Sequence, residues 1–500
     1  MLIEIEGTIP TDLSPFATYQ VYNCLDSAVT AQLLPAMRQH LNDNHLLTYR
    51  REMRLQSLCL DMSVKGFPVD QFALAELLWK LEKDENRALS ILHQFCEAVG
   101  FGPLNPNSPA QVIGLFYEHL GLPPIYEYDR KTQRRKVSTD AKALEKLKTN
   151  YPIAAPFVNA IDAAKSARKM ASVFKRGLEP GTANLRCNFS PSGTETGRLS
   201  SQQNPYGRGT NAQNLTDEVR QVICAPEGYL IVNFDLKTAE SIAVGYLSRD
   251  QAYIDACLSG DLHTQVAKLN FRDLPWVGDL KQDKAIAERP YFRQFSYRDM
   301  AKRGGHATNY YGQAQTVAAA LKLPRGVVEQ FQTDYFTAFP GIQNWQLETI
   351  AMIQTTGTII TPMGRERRFW GRPDDKKTHR EAIAHGPQSL VGDVWNDGLI
   401  QLQSWTIRNA KTDTIDLRAQ VHDAGVYLIP KDAVHDIIPL MTEQLKYPID
   451  FGPLGVMVIP TDVSIGRRWN KAPKNLKPHQ SRLMQQGLVD YKPGMDLDAL

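Results

Sequence analysis

The chain has 500 residues, 42% hydrophobic and 22% charged. That is more than one hydrophobic core ordinarily serves, so roughly two to four packed units are expected in a multi-lobed protein. A net charge of +3 rules out an argument for nucleic-acid binding from the total and leaves the placement of the charges to carry it.

No apolar run reaches the roughly 18 residues of a membrane span. The start Met1-Leu-Ile-Glu-Ile-Glu-Gly7 lacks a basic-then-apolar signal, so neither a membrane protein nor an exported one is expected. Cys24, Cys59, Cys96, Cys187, Cys224 and Cys257 form no Cys-x-x-Cys pair, which argues against a zinc site or redox motif and for reduced thiols in a cytosol-like compartment.

In chain order, apolar spacings of three and four predict long amphipathic helices from about Tyr19 to Leu46 and from Tyr49 to Val99, the second interrupted at Gly66-Phe67-Pro68. Asn105-Pro-Asn-Ser-Pro109 reads as a turn that caps a helix beginning near Ala110. Tyr128 to Val137, with Arg130, Lys131, Arg134, Arg135 and Lys136, reads as a solvated basic loop, either plain surface or a phosphate contact. A helix from about Pro156 to Leu178 carries Lys165, Arg168, Lys169, Lys175 and Arg176, partly on one side, where a duplex backbone can be tracked. From Leu185 to Leu262 short β-rich runs take over, notably Tyr229 to Phe234, and helical patterns return from about Arg289 to Thr355. Leu417 to Val421 and Val426 to Ile429 predict a hairpin around His422-Asp-Ala-Gly425. The C-terminal stretch looks loose: Lys471 to Lys477 is basic, and Asp496 to Leu500 has no evident partner.

Three segments can carry chemistry. Ile231-Val-Asn-Phe-Asp235-Leu-Lys-Thr-Ala-Glu240 is an apolar strand that ends in an acid at a sheet rim, although Asp235 alone reads more readily as a helix N-cap. Asp423 stands at the hairpin tip, where by itself it is an ordinary turn aspartate. Together they offer what phosphoryl transfer needs, carboxylates holding divalent cations roughly 3.5–4 Å apart, and hard oxygen ligands favour magnesium. The third segment, Arg298-Asp-Met-Ala-Lys302-Arg-Gly-Gly-His306-Ala-Thr-Asn-Tyr310-Tyr-Gly312, repeats Arg298, Lys302, His306 and Tyr310 every four residues, one slanting row on a helix. Its cations can grip a triphosphate and its aromatic end can stack on a base, or the row is a polar surface stripe. Gly304 and Gly305 each cost about 1 kcal/mol mid-helix relative to Ala, which predicts that something approaches that backbone closely.

These segments, in this order, resemble the three polymerase motifs of the family A DNA polymerases, the DNA polymerase I family. Asn105-Pro-Asn-Ser-Pro-Ala-Gln111, Val137 to Leu147, Thr196-Gly-Arg198-Leu-Ser-Ser201, Gln213-Asn214-Leu215, Asp261-Leu-His263, Phe339-Pro-Gly341 and Gly364-Arg-Glu-Arg-Arg368 resemble further family segments, from about Leu46 to Trp469. The resemblance implies an α+β right-hand fold with an antiparallel-sheet palm and helical fingers and thumb. The expected division is an exonuclease-like remnant over 1–45, thumb and start of palm over 46–190, palm with the first acid over 191–262, fingers over 263–358, and palm with the second acid plus tail over 359–500.

It also implies a template-directed DNA polymerase acting on primer-template DNA and deoxynucleoside triphosphates. Asp235, Asp423 and the Leu236 carbonyl would bind two Mg2+ ions, with Mn2+ a possible substitute. Arg298, Lys302 and His263 would hold the triphosphate, His306 and Tyr310 would line the nucleotide site, and Glu240 would exclude a 2'-hydroxyl. Arg198 and Gln388, supported by Arg380, would reach minor-groove acceptors, with Gln213, Asn214, His422, Lys165 and Lys169 as further DNA contacts. A separate processivity or exonuclease factor is a possible partner, and the cytoplasm of a bacterium or phage-infected host is the expected location.

The sequence departs from the family at Ala424 (usually Glu), His306 (usually Phe or Tyr), Ala384 (usually Asn) and Tyr311 (usually Gly), the last leaving the register of Tyr310-Tyr311 open by one. Tyr22-Asn-Cys-Leu-Asp26 with Thr30 resembles the last motif of the family's exonuclease domain; Glu4, Glu6 and Asp12 lack the scaffold for its other acids. The segment is therefore expected to be a remnant packing on the palm, without proofreading in this polypeptide. Two alternatives stay open: a single-subunit RNA polymerase-like enzyme, against which the bulky Glu240 argues, and a catalytically silent primer-template binder, favoured by Ala424.

Overall fold

The computed structural model describes residues 14–129, 133–179, 181–204, 206–475, 477 and 480–500. Arg130, Lys131, Glu4, Glu6 and Asp12 lie outside the described residues. Its centre is a five-stranded sheet in the order 416–421, 424–430, 229–236, 461–466, 489–490, antiparallel throughout. The middle strand Tyr229–Leu236 buries Leu230, Ile231, Val232, Phe234 and Leu236, the near-continuous apolar run expected of a strand covered on both faces.

Helices surround this sheet. Asp43–Lys65, Gln71–Ala98 and Ala155–Gly177 precede it, and Tyr297–Asn309, Ala314–Leu321, Arg325–Ala338 and Pro340–Thr356 follow. The break expected after Leu46 falls earlier, because Asn42 caps the second helix: its side chain accepts from the His45 amide while His45 Nδ1 accepts from the Asn42 amide. A second core, including Leu92, Leu115, Phe116, Leu144, Phe157 and Ile161, fills the outer end of the Gln71–Ala98 and Ala155–Gly177 pair, apart from the main one.

Helix Lys376–Arg408 runs for 33 residues through Pro387 and was not predicted. Its buried residues, from Ile383 and Leu390 to Asp393 and Asn396, point in all directions, so no apolar stripe marks it in the sequence.

Four expectations need correction. The β-rich texture read from Leu185 to Leu262 ends at Leu236, since Ala239–Ser248 and Gln251–Leu258 are helices. The basic segment near Tyr128 is a hairpin, Tyr126–Asp129 paired with Arg134–Val137, with Glu127 opposite Lys136. The C-terminal stretch is docked: Val489–Asp490 adds the fifth strand, Arg468 Nε donates to Gln486 Oε1 (2.8 Å), and Lys431 pairs with Asp498 (2.7 Å). An open sheet edge is thereby covered. The helix Pro15–Arg38, expected to pack on the sheet lobe, buries none of its described side chains, and Phe16, Tyr19 and Tyr22 stand exposed.

Candidate active site

The two predicted acids meet at one end of the central strand. Hairpin strands Asp416–Val421 and Ala424–Pro430 are joined by the two-residue turn His422-Asp423, with His422 at φ +54°, a left-handed conformation that His adopts more readily than most residues. Ala424 lies opposite Asp235, Asp462 flanks Asp235 on the other side, and the Leu236 amide donates to the Asp423 carbonyl at 3.1 Å.

The local alternatives fall away. The following helix, Ala239–Ser248, has Thr238 at its N-terminus with no side-chain cap, so Asp235 caps nothing. Asp423 Oδ2 accepts from Arg198 Nη2 at 3.1 Å, while its Oδ1 is buried without a partner among the described residues.

Crowding dominates the electrostatics. Asp235 is exposed at the sheet rim, yet the protein around it strips enough water to push its pKa up to about 6, with Asp423 and Asp462 adding repulsion. Burial also raises that of Asp423, against the opposing pull of Arg198. Two acids held at such a cost, one with an orphaned oxygen, form a donor set that suits a hard cation. No three His, Cys, Asp or Glu side chains converge as a metal cluster among the described residues.

The helix Tyr297–Asn309 faces this sheet end across a cleft of about 520 Å3 lined by Leu236, Glu240, His263, Lys302, His306 and Asp423, among others. Ser296 and Asp299 form its capping box. Arg298 is engaged with Asp261 (Nη2 to Oδ1, 3.0 Å), whereas Lys302 and His306 are exposed and Lys302 has no ion-pair partner among the described residues. Burial first, then Arg298 and Lys302, lower the His263 pKa to about 4, which leaves a neutral imidazole at pH 7. The predicted close approach at Gly304 and Gly305 comes from the protein itself: added Cβ atoms would lie 2.7 Å from the Phe331 ring and 3.2 Å from Tyr335.

Of the two tyrosines between which the register was open, Tyr310 is the one that meets Glu240. Its hydroxyl donates to Glu240 Oε2 at 2.5 Å, and Arg198 Nη2 donates to Glu240 Oε1 at 2.7 Å as well as to Asp423. Tyr311 takes the left-handed turn at φ +58° and sets its ring against His379.

The remaining predicted residues are scattered. Gln213 Nε2 donates to the Leu199 carbonyl at 2.6 Å, beside Arg198. Gln388 is half-buried on the long helix, and Asn214, Arg380 and His422 are exposed. Lys169 is exposed and Lys165 half-buried on Ala155–Gly177; neither lines the cleft.

Sequence reasoning missed the support beneath Arg198. Arg365 donates to Asp393 (Nη2 to Oδ1, 2.9 Å) and its guanidinium occupies the space a Cβ at Gly197 would need. Asn396 Nδ2 holds the Gly197 carbonyl at 2.8 Å. The segment Gly364 to Arg368 was the only signal, and it carried no role.

The profile of DNA polymerase family A matches residues 75–471. The chain belongs to DNA polymerase family A. It is 26% identical over 459 residues to a thermostable DNA polymerase I of Thermus filiformis, covering 89% of this chain and 50% of the relative. It is 25% identical over 480 residues to the DNA polymerase of Escherichia phage T5, covering 87% and 53%. The chain thus spans about half the length of the curated relatives it matches. Among solved structures, the POL domain of Pol1 from M. smegmatis, in complex with DNA primer-template and dNTP, superposes with a TM-score of 0.68 at 21% identity, over 84% of this chain and 70% of that one. The α+β fold of a family A polymerase domain is therefore shared. No helix among the described residues is long and apolar enough to cross a membrane.

Proposed function

We propose that this family A chain is a template-directed DNA polymerase that adds deoxynucleoside triphosphates to a primer 3' end. The observation that carries the reading is the meeting of Asp235 and Asp423 at one sheet end, across a cleft from Lys302. Asp235, Asp423 and the Leu236 carbonyl would hold magnesium or manganese; when bound, such ions lower the pKa of an attacking hydroxyl and stabilise the leaving oxygen. Magnesium commonly takes only one or two carboxylates and completes its shell with water and substrate phosphates, which suits a site with two acids and Ala424 beside them.

The protein's own groups divide the rest. Lys302 offers a free charge to the triphosphate. His263, neutral, donates a hydrogen bond, and Arg298 reaches the phosphates if it exchanges Asp261 for them. His306 and Tyr310 line the nucleotide site. Glu240, fixed by Tyr310 and Arg198, occupies the space a ribose 2'-hydroxyl needs, which favours deoxynucleotides over the RNA polymerase alternative. Arg198 and Gln388, with Arg380, Gln213, Asn214 and His422 around them, serve the primer-template end, and Lys165 and Lys169 its backbone. In this reading residues 46–190 act as thumb, 263–358 as fingers and the flanking segments as palm, in a cytoplasmic enzyme.

Primer extension with deoxy- and ribonucleotides tests the proposal. Deoxynucleotides should be incorporated preferentially, and Asp423→Ala should abolish extension while duplex affinity stays nearly unchanged, because cations elsewhere supply it. Preference for ribonucleotides would overturn the DNA reading. Equal inactivity of wild type and variant would instead mark a silent binder.

A further inference from the structure

The geometry points to Asn309 and Tyr253 as positioning residues that tie the helix bearing Tyr310 to the helix bearing Glu240, and so set sugar selectivity in the polymerase reading on which this inference rests. The Tyr310–Glu240 contact joins two lobes by one hydrogen bond (2.5 Å). Immediately beside it runs a second link, which starts at Asn309, the chain neighbour of Tyr310. Asn309 Nδ2 donates to the Tyr253 hydroxyl at 2.8 Å, and the Tyr253 ring packs on Gly245 of the Glu240 helix, its Cδ1 3.4 Å from where a Cβ there would stand.

On its far side the Asn309 amide is locked as well. The Tyr335 hydroxyl donates to Asn309 Oδ1 at 2.8 Å. Gln346 Nε2 donates to the carbonyls of Thr308 (2.7 Å) and Asn309 (3.0 Å), which would otherwise be orphaned at the helix C-terminus. Asn309, Tyr253, Tyr335 and Gln346 are all buried.

A buried polar group that loses its partner pays its full desolvation cost, so a network satisfied in one arrangement resists displacement. Sliding the Tyr310 helix relative to Glu240 would break several of these bonds at once. Asn309 does not line the cleft; its effect on the nucleotide passes through Tyr310.

The test compares kcat/KM for deoxy- and ribonucleotides on one primer-template. Tyr253→Phe, which removes a single oxygen, should lower the deoxy-to-ribo ratio about tenfold, mainly through a higher KM for the deoxynucleotide, with the primer-template Kd unchanged. Tyr335→Phe, which removes the donor to Asn309 Oδ1, should act in the same direction, and the double variant should be no worse than Tyr253→Phe alone, the sign of one shared pathway. Asn309→Leu should show the largest loss; if it does not fold, the Tyr253 and Tyr335 variants carry the test. Variants with a lowered Tm but an unchanged ratio would reduce the network to a structural role and overturn the inference alone. A wild type that extends with neither nucleotide would overturn the polymerase reading and the inference with it.

Discussion

Asp393→Asn removes one buried charge from between two arginines. The carboxylate is fully buried, accepts from Arg365 at 2.9 and 3.1 Å, and lies 3.4 Å from Arg51 Nη1. Deleting one partner of a buried ion pair costs about 3–5 kcal/mol, because the other is left uncompensated. Here neither guanidinium is stranded: Arg365 keeps Glu52 at 2.9 Å and Arg51 keeps Asp397 at 2.9 Å. The expected loss therefore falls to about 2–3 kcal/mol.

The cost should reach the cleft, because Arg365 underlies Gly197 and Arg198 follows it. Urea unfolding should show a lower midpoint with an unchanged slope, and KM for primer extension should rise as Arg198 loosens. A loss below about 1 kcal/mol, the size of one ordinary hydrogen bond, would refute the reasoning, since Glu52 and Asp397 would then suffice to compensate both arginines.

Asp235 sets a pH dependence with a definite sign. Its folded pKa is raised from 3.8 to about 6, so between those values the folded state holds more protons than the unfolded one, and stability without metal falls as pH rises. Asp235→Asn should therefore raise the Tm of the metal-free protein slightly at neutral pH while abolishing extension; a gain that persists below about pH 4 would show that charge is not its origin. Below about pH 6 protons compete with the cation for this carboxylate, so the Mg2+ concentration needed for half-maximal extension should rise as pH falls. Gly304→Ala gains about 1 kcal/mol of helix propensity, but its methyl would lie 2.7 Å from the Phe331 ring. Overpacking costs about 1–3 kcal/mol, so a lower Tm is expected, and an unchanged or higher one would show that Phe331 moves aside freely.

Features written in local chemistry were legible in the sequence. The apolar run ending in Asp235, the hairpin turn at Asp423 and the four-residue repeat from Arg298 to Tyr310 each carry their own periodicity or turn signal, and the family motifs placed them in one enzyme class. Tertiary structure decided what no local signal encodes. Helix Lys376–Arg408 is buried all round along its middle, so it lacks there the polar face that marks a helix. The C-terminal stretch looked unpartnered because its partners, Ser464 and Lys431, come from elsewhere in the chain. Arg198 meets Glu240 and Asp423, and Asn309 meets Tyr253, only after folding brings distant segments together. Sequence spacing fixes which face of a helix or strand a side chain occupies; which other side chain it meets there depends on long-range packing, and that packing assembles the cleft.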